Sequence, residues 1–295
     1  MTTTTIVAVP TGARRGATAA ARPASVGSAL LLLPALLLLL VLFVGPLVLM
    51  AFESFRDGIG TYGTIFTSVS NRRVFANTLE TAVATTLVCL LLGYPYAYAL
   101  LRTGRRLRTV LTACVLMPFW VSVLTRTFAW VGLLQDTGVI NSFLLARGWI
   151  AEPLAMIRTP WGVLIGMVQV LLPYMVISLM NSMSTIDDQL LRAAYSLGAN
   201  PWQRFRKVFL PLSASGIWAG CTLVFVLSLG FYITPSMLGA PSNMMVAELL
   251  VQETQKIGTV RASAIGLILL AGMLLCLAFF RGLRGLPALV RERRS

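Results

Sequence analysis

The sequence predicts an all-α membrane protein with about six transmembrane helices, and three observations predict it. Of 295 residues, 57% are hydrophobic and only 12% are charged, where a soluble domain carries roughly a quarter charged residues. Six apolar runs reach or approach the ~20 residues that a spanning helix needs, at 29–51, 77–101, 109–133, 161–180, 214–238 and 262–280. The basic residues, which give a net charge of +14, sit in short tracts between those runs. Arginine supplies nearly all of them, since Lys207 and Lys256 are the only lysines. A nucleic-acid binder would instead gather them on a soluble module. Here they read as topology determinants and contacts to anionic lipid.

Residues 1–28 are rich in Thr, Ala and Arg without helical apolar period, and read as a disordered cytoplasmic N-terminal tail. Arg14, Arg15 and Arg22 precede the first run as in a signal peptide. That run reaches Ala51, however, too long for an h-region of about 7–15 residues, so 29–51 is expected to be an uncleaved first span. Pro34, Pro46, Pro95, Pro118, Pro173 and Pro235 fall inside the predicted spans, where neighbouring helices can re-satisfy the freed carbonyls. Cys89, Cys114, Cys221 and Cys276 all lie in apolar runs and form no CxxC pair, so buried free thiols are expected rather than a redox or zinc motif. Residues 282–295 form a basic tail. Placing the N-terminus in the cytoplasm puts 16 Lys and Arg in the inner loops and tails and 7 in the outer loops, with Arg126 left inside the third span. Both termini are therefore expected to be cytoplasmic.

The longest inner loop, 184–213, carries the most local information. Asp187 or Thr185 can cap a helix, on which Ile186, Leu190, Ala193, Ala194 and Leu197 share one face. Gly198 suits a left-handed C′ position, and Asn200-Pro201 supplies an N-cap and N1 proline for a second helix. In that helix Phe205, Val208, Phe209 and Leu212 share a face, and Pro211 marks the return to the membrane. Such a pair can dock a partner or merely anchor the loop on lipid. The small Ala193-Ala194 beside a glycine turn would permit close approach by a partner.

At these residues the chain resembles a known family. Arg192-Ala193-Ala194-(x)₃-Gly198, followed by Leu210-Pro211, resembles the EAA loop of type I ABC importer permeases, with Arg192 where the family pattern has glutamate. The resemblance implies a type I ABC importer permease fold over about 75–281. It also makes 185–212 a coupling loop that docks on an ATPase subunit, with Asp187, Leu190, Arg192, Ala193, Ala194, Leu197, Gly198 and Pro211 as its residues. The stretches LLGYPYAYALLR (91–102), LMPFWVSVLTRTFAWVGLLQDTGVIN (116–141) and LGFYITPSMLGAPSNMM (229–245) look like the spermidine/putrescine subfamily. That subfamily often has Gly-Asp-Phe where this chain has Gly230-Phe231-Tyr232. Polyamine is thus the implied substrate, with iron, thiamine or sulfate importers sharing the scaffold. The implied partners are ABC ATPase subunits, a second permease subunit, an extracytoplasmic solute-binding protein and the lipid bilayer of a bacterial inner membrane, with no nucleic acid.

The chain has no GxxxxGK[ST] phosphate loop and no histidine, which removes His-dependent catalysis and His-ligated metal sites. A transport subunit without its own nucleotide site or bound cofactor is expected, with ATP used by the partner. Ionisable and aromatic residues at membrane depth mark a candidate pathway: Glu80, Trp120, Arg126 and Tyr232. Glu80 can equally cap its helix, and Arg126 can snorkel or pair with Glu80 or Asp136. Tyr94, Tyr96 and Tyr98 cannot all line one pore, because a helix turns them to different sides. An ATPase-independent secondary transporter or channel is the rival class.

Overall fold

A computed structural model describes residues 26–256 and 258–292; residues 1–25 of the tail expected at 1–28 and residues 293–295 lie outside them, and 26–28 begin the first helix instead of ending a tail. The chain divides into two compact units, Met1–Leu49 and Met50–Ser295. Among the described residues the order is α1 (Val26–Phe55), α2 (Gly60–Thr67), α3 (Val69–Arg102), α4 (Arg105–Leu116), α5 (Val123–Leu134), α6 (Val139–Ala146), α7 (Pro160–Met183), α8 (Asp188–Ser196), α9 (Pro201–Arg204), α10 (Leu210–Leu229), α11 (Ile233–Leu238), α12 (Val246–Lys256) and α13 (Thr259–Glu292). No strand occurs among them. Six helical stretches are long and apolar enough to cross a membrane: Leu36–Phe55, Val69–Arg102, Val123–Ala146, Pro160–Met183, Pro201–Leu229 and Thr259–Gly282.

In the first unit, Leu36 through Phe43 are all exposed in an unbroken run. A helix that is apolar on every side and touches little protein belongs in lipid.

The core of the second unit lies where α3, α7 and α10 meet, around Cys89, Met175, Leu179 and Val224. Glycine sets the separation. A Cβ on Gly93 of α3 would come 3.0 Å from Met175 Cγ, and one on Gly220 of α10 would come 2.6 Å from Met175 Sδ. The fully buried Met175 of α7 is therefore held between two side-chain-free backbones. Gly216 and Gly220 form a GxxxG pair, and a Cβ at Gly216 would reach Ser182 Cβ at 2.5 Å. In lipid, where apolar burial drives little association, such close backbone approach supplies the dispersion contacts that hold helices together. Pro95 and Pro173 lie inside α3 and α7 without ending them.

Two predicted spans differ in the structure. The run 109–133 is not one helix: α4 ends at Leu116, a 3₁₀ turn covers Met117–Trp120, and α5 begins at Val123. Pro118 cannot donate to the preceding turn, so the spanning stretch shifts to Val123–Ala146. The run 214–238 stops at Leu229, and α11 starts afresh at Ile233, with Pro235 in its first turn. Of the four thiols expected to be buried only Cys89 is: Cys221 and Cys276 are half-buried, and Cys114 is exposed on a helix with no buried residue. At the C-terminus α13 continues to Glu292, so residues 282–292 extend a helix rather than forming a separate tail.

Asn77 and Thr78 of α3 fasten the segment that leads into α12. The Asn77 amide donates to Ser242 O (3.0 Å) and Met244 O (3.3 Å), and Thr78 Oγ1 accepts from Val246 N–H at 2.9 Å. The N-terminus of α12 thus finds its cap on a helix 168 residues away in sequence.

Candidate functional site

The 185–212 segment folds as a helix, a tight turn and a second helix. Asp187 caps α8 by accepting from Gln189 N–H at 2.8 Å. The chain reverses at Gly198, whose φ is +80°, with its N–H donated to Tyr195 O at 2.9 Å. Glycine adopts that left-handed backbone without the Cβ clash other residues meet. Asn200 and Gln203 then form a reciprocal capping box: Asn200 Oδ1 accepts from Gln203 N–H (2.8 Å) and Gln203 Oε1 accepts from Asn200 N–H (3.1 Å).

The second helix runs on past Pro211, the position expected to mark the return to the membrane. Residues Phe205–Phe209 form a π-helical turn that runs directly into α10, leaving Pro211 in its first turn. The second helix of the loop and the fifth spanning stretch are one continuous rod. Proline fits the first turn of α10 because the π turn has already displaced the usual hydrogen-bond partner.

The inner side of this pair is fixed to the bundle by aromatic rings. Phe205 meets Tyr94 edge-on at 6.0 Å and Tyr98 edge-on at 5.7 Å, while Phe209, itself buried, meets Tyr98 at 5.0 Å. Each such pair contributes about 0.5–1.5 kcal/mol beyond area burial. Tyr94 also bonds Ser213 Oγ at 2.9 Å. Because Ser213 donates to Leu210 O, Tyr94 is the donor in that pair. Tyr96 turns away and donates to Leu111 O at 2.8 Å, so the three tyrosines do diverge.

The outer side is exposed, with Arg204 over the Tyr195 ring and Trp202 stacked beside Phe205. Leu197 is 88% exposed, Tyr195 68% and Trp202 65%, and Leu190 is exposed beside them. Ala193 is exposed and Ala194 half-buried. The predicted apolar face of α8 therefore points away from the bundle at Leu190, Ala193 and Leu197, while Ile186 and Leu191 pack inward. Arg192 is exposed and makes no ion pair among the described residues.

The four pathway candidates are not brought together: no hydrogen bond, ion pair or ring contact joins any two of them. Glu80 is exposed on α3. Trp120 is 82% exposed at the end of the 3₁₀ turn, and Tyr232 is exposed just past α10. Arg126 is half-buried on α5, with its Nε closed off from solvent and without an acceptor; it pairs with neither Glu80 nor Asp136. Its helical neighbour Thr127 bonds Thr234 of α11 at 3.2 Å between hydroxyls, which ties α5 to α11 beside the arginine. Sequence reading gave Tyr195 and Trp202 no role and did not join Tyr98 to Phe205. The i,i+4 spacing of Tyr94, Tyr98 and Arg102 was the available signal.

Residues 24–286 match the family described as binding-protein-dependent transport system inner membrane component. The chain is 33% identical over 229 residues to the spermidine/putrescine transport system permease protein PotB of Haemophilus influenzae, covering 76% of this chain and 79% of that protein. It is 36% identical over 177 residues to PotB of Escherichia coli, covering 60% of this chain and 64% of the relative's length. A chain of a bacterial alginate ABC transporter, crystallised in complex with an alginate pentasaccharide-bound periplasmic protein, superposes with a TM-score of 0.71 at 19% identity, over 85% of this chain and 91% of that one. That likeness shows a shared fold. A family match over most of the length, on six apolar helices, makes this chain a member of the binding-protein-dependent inner membrane components, the multi-pass permease subunit of an ABC importer.

Proposed function

We propose that the chain carries a polyamine, spermidine or putrescine, through the inner membrane, and that its 185–212 segment is the lever by which a separate ATPase drives it. The observation that carries the lever is the division of the segment into two sides. Its outer side offers Leu190, Ala193, Leu197 and Trp202 to a partner. Its inner side meets α3 edge-on through Phe205 and Phe209 and is continuous with α10. A displacement at the tip would move the spanning rod rather than dissipate in a loop, which is what a two-state bundle needs to alternate access.

The 16 basic residues in the inner set against 7 in the outer set support cytoplasmic termini and a cytoplasmic lever. Lacking a phosphate-binding loop sequence, the chain would borrow ATP hydrolysis from its partners and pair with a second permease subunit around a shared pathway. The polyamine reading rests on the PotB relatives. Glu80, Trp120, Arg126 and Tyr232 are proposed as pathway residues. Aromatic faces such as Trp120 and Tyr232 attract ammonium groups.

Ala194→Arg and Gly198→Pro test the lever. Both variants are expected to insert normally and to lose ATPase co-purification and uptake. Retention of the ATPase by both would remove the lever reading. Uptake of labelled putrescine by the assembled transporter, competed with other small solutes, tests the substrate. Unlabelled spermidine that failed to compete would exclude it.

A further inference from the structure

The space between the lever and the end of α3 is a cleft of about 520 Å³, within the range of small-ligand sites. Its lining is chemically mixed. Arg102, Arg192 and Arg204 face it, with Asp188 as its one carboxylate, and Tyr98, Phe205 and Leu191 form apolar wall. Two of the guanidiniums are held on rings, Arg102 at 5.1 Å from the Tyr98 centroid and Arg204 at 5.2 Å from that of Tyr195. The ring contact holds each guanidinium by its carbon and leaves its N–H groups unused. None of the three guanidiniums makes a hydrogen bond or ion pair with another described residue, and Arg204 Nε is buried without an acceptor.

Three arginines converging on a partly enclosed space, without counter-charge beyond Asp188, describe a site built for an anion. Arginine forks match phosphoryl oxygens in bidentate geometry. The position narrows the source. Arg102 is the last residue of the spanning helix α3, so the cleft lies at headgroup depth. Arg105, Arg106 and Arg108 follow directly, and Arg206 and Lys207 lie on the adjoining π turn. Clusters of this kind beside a spanning helix gather anionic lipid. The apolar wall suits the glycerol and upper acyl region of such a molecule, and Asp188 can accept from a headgroup hydroxyl.

We propose that this cleft binds the phosphodiester headgroup of an anionic phospholipid, so that a lipid is seated between the lever and the bundle. The proposal rests on the cytoplasmic-lever reading for its depth, but it can fail separately, since binding is measured on the full-length chain without its ATPase. Short-chain dihexanoyl phosphatidylglycerol, dihexanoyl phosphatidylcholine and inorganic phosphate would be titrated into the detergent-purified chain and followed by native mass spectrometry. Phosphatidylglycerol is expected to bind about tenfold or more tightly than phosphatidylcholine, and the double variant Arg102→Gln/Arg204→Gln is expected to lose that preference. Should the double variant fold poorly, Arg102→Lys/Arg204→Lys keeps the charge without the forks, and a several-fold loss is expected. Equal binding of the two lipids would overturn the proposal, as would unchanged binding by the variants. Inorganic phosphate displacing the lipid at equal concentration would assign the site to a free anion and overturn the lipid. ATPase co-purification on the same variants reports on the lever alone.

Discussion

Replacing Gly198 by alanine isolates the contribution of one backbone conformation to coupling. A Cβ built on Gly198 meets nothing within 4 Å, so the substitution adds no clash with a neighbour. What remains is the strain of placing an L-residue at φ +80°, about 1–2 kcal/mol. That strain relaxes where the fewest contacts oppose it. On one side stand the capping box of Asn200 and Gln203 and the edge-on contact of Phe205 with Tyr98. On the other stands α8, which has no buried residue. The tip of α8 therefore shifts, and the docking-competent arrangement becomes about 5–30-fold rarer. Titration of the ATPase onto reconstituted permease should show an affinity loss in that range for Gly198→Ala. The loss should be smaller for Gly198→Asn, because asparagine tolerates the left-handed region. Gly198→Pro should abolish docking, since proline fixes φ near −65° and removes the N–H that reaches Tyr195 O. Equal affinities for the alanine and asparagine variants, or an alanine variant that docks like the parent, would refute the argument that the turn's backbone sets the docking face.

Four further perturbations test the fold. Gly216→Ala should destabilise the bundle by about 1–3 kcal/mol, because its Cβ meets Ser182 Cβ at 2.5 Å and the Ser178 carbonyl at 3.2 Å. Gly220→Ala should cost less, since it meets the flexible Met175 sulfur; unfolding in mixed micelles ranks the two. Asn200→Ala removes half of the capping box and should cost about 1 kcal/mol, read as faster hydrogen exchange at Gln203 with the span intact. Glu248 lies outside the spanning stretches, and burial pushes its carboxyl up to about 7 despite the Met245 N–H that favours the anion. The folded protein therefore holds this proton where the unfolded chain, near pH 4.5, has released it. The stability it confers is present at low pH and falls as pH rises from about 4.5 to about 7. After allowance for solvent screening the change is on the order of 1 kcal/mol, and Glu248→Gln should flatten the profile.

Features encoded by neighbouring residues were legible in the sequence. Asp187, Gly198 and Asn200-Pro201 define caps and a turn through bonds that span two or three positions, and the structure forms each of them. The apolar runs fixed four of the spans to within several residues. The third run failed because composition hides a break: Pro118 and its aromatic neighbours are as hydrophobic as the helix they interrupt. The junction at Phe205–Phe209 was illegible for a related reason, since a π turn keeps the same residue types and alters only their hydrogen-bond partners. The cleft at Tyr98, Arg102 and Arg204 depends on two stretches about a hundred residues apart meeting in space. No local period announces that. Nor could the apolar face of α8 say by itself whether it looked inward or outward; the edge-on contact of Phe205 with Tyr98 decides it.

The π turn makes the angular relation between tip and bundle a matter of residue number. Each residue of an α-helix advances the chain by about 100°, so one residue added to or deleted from 205–209 would swing the far end round by roughly that amount. Swapping tips between related permeases should therefore succeed only when the interval from Gly198 to Ser213 keeps its length, whatever the chemistry of the exchanged side chains.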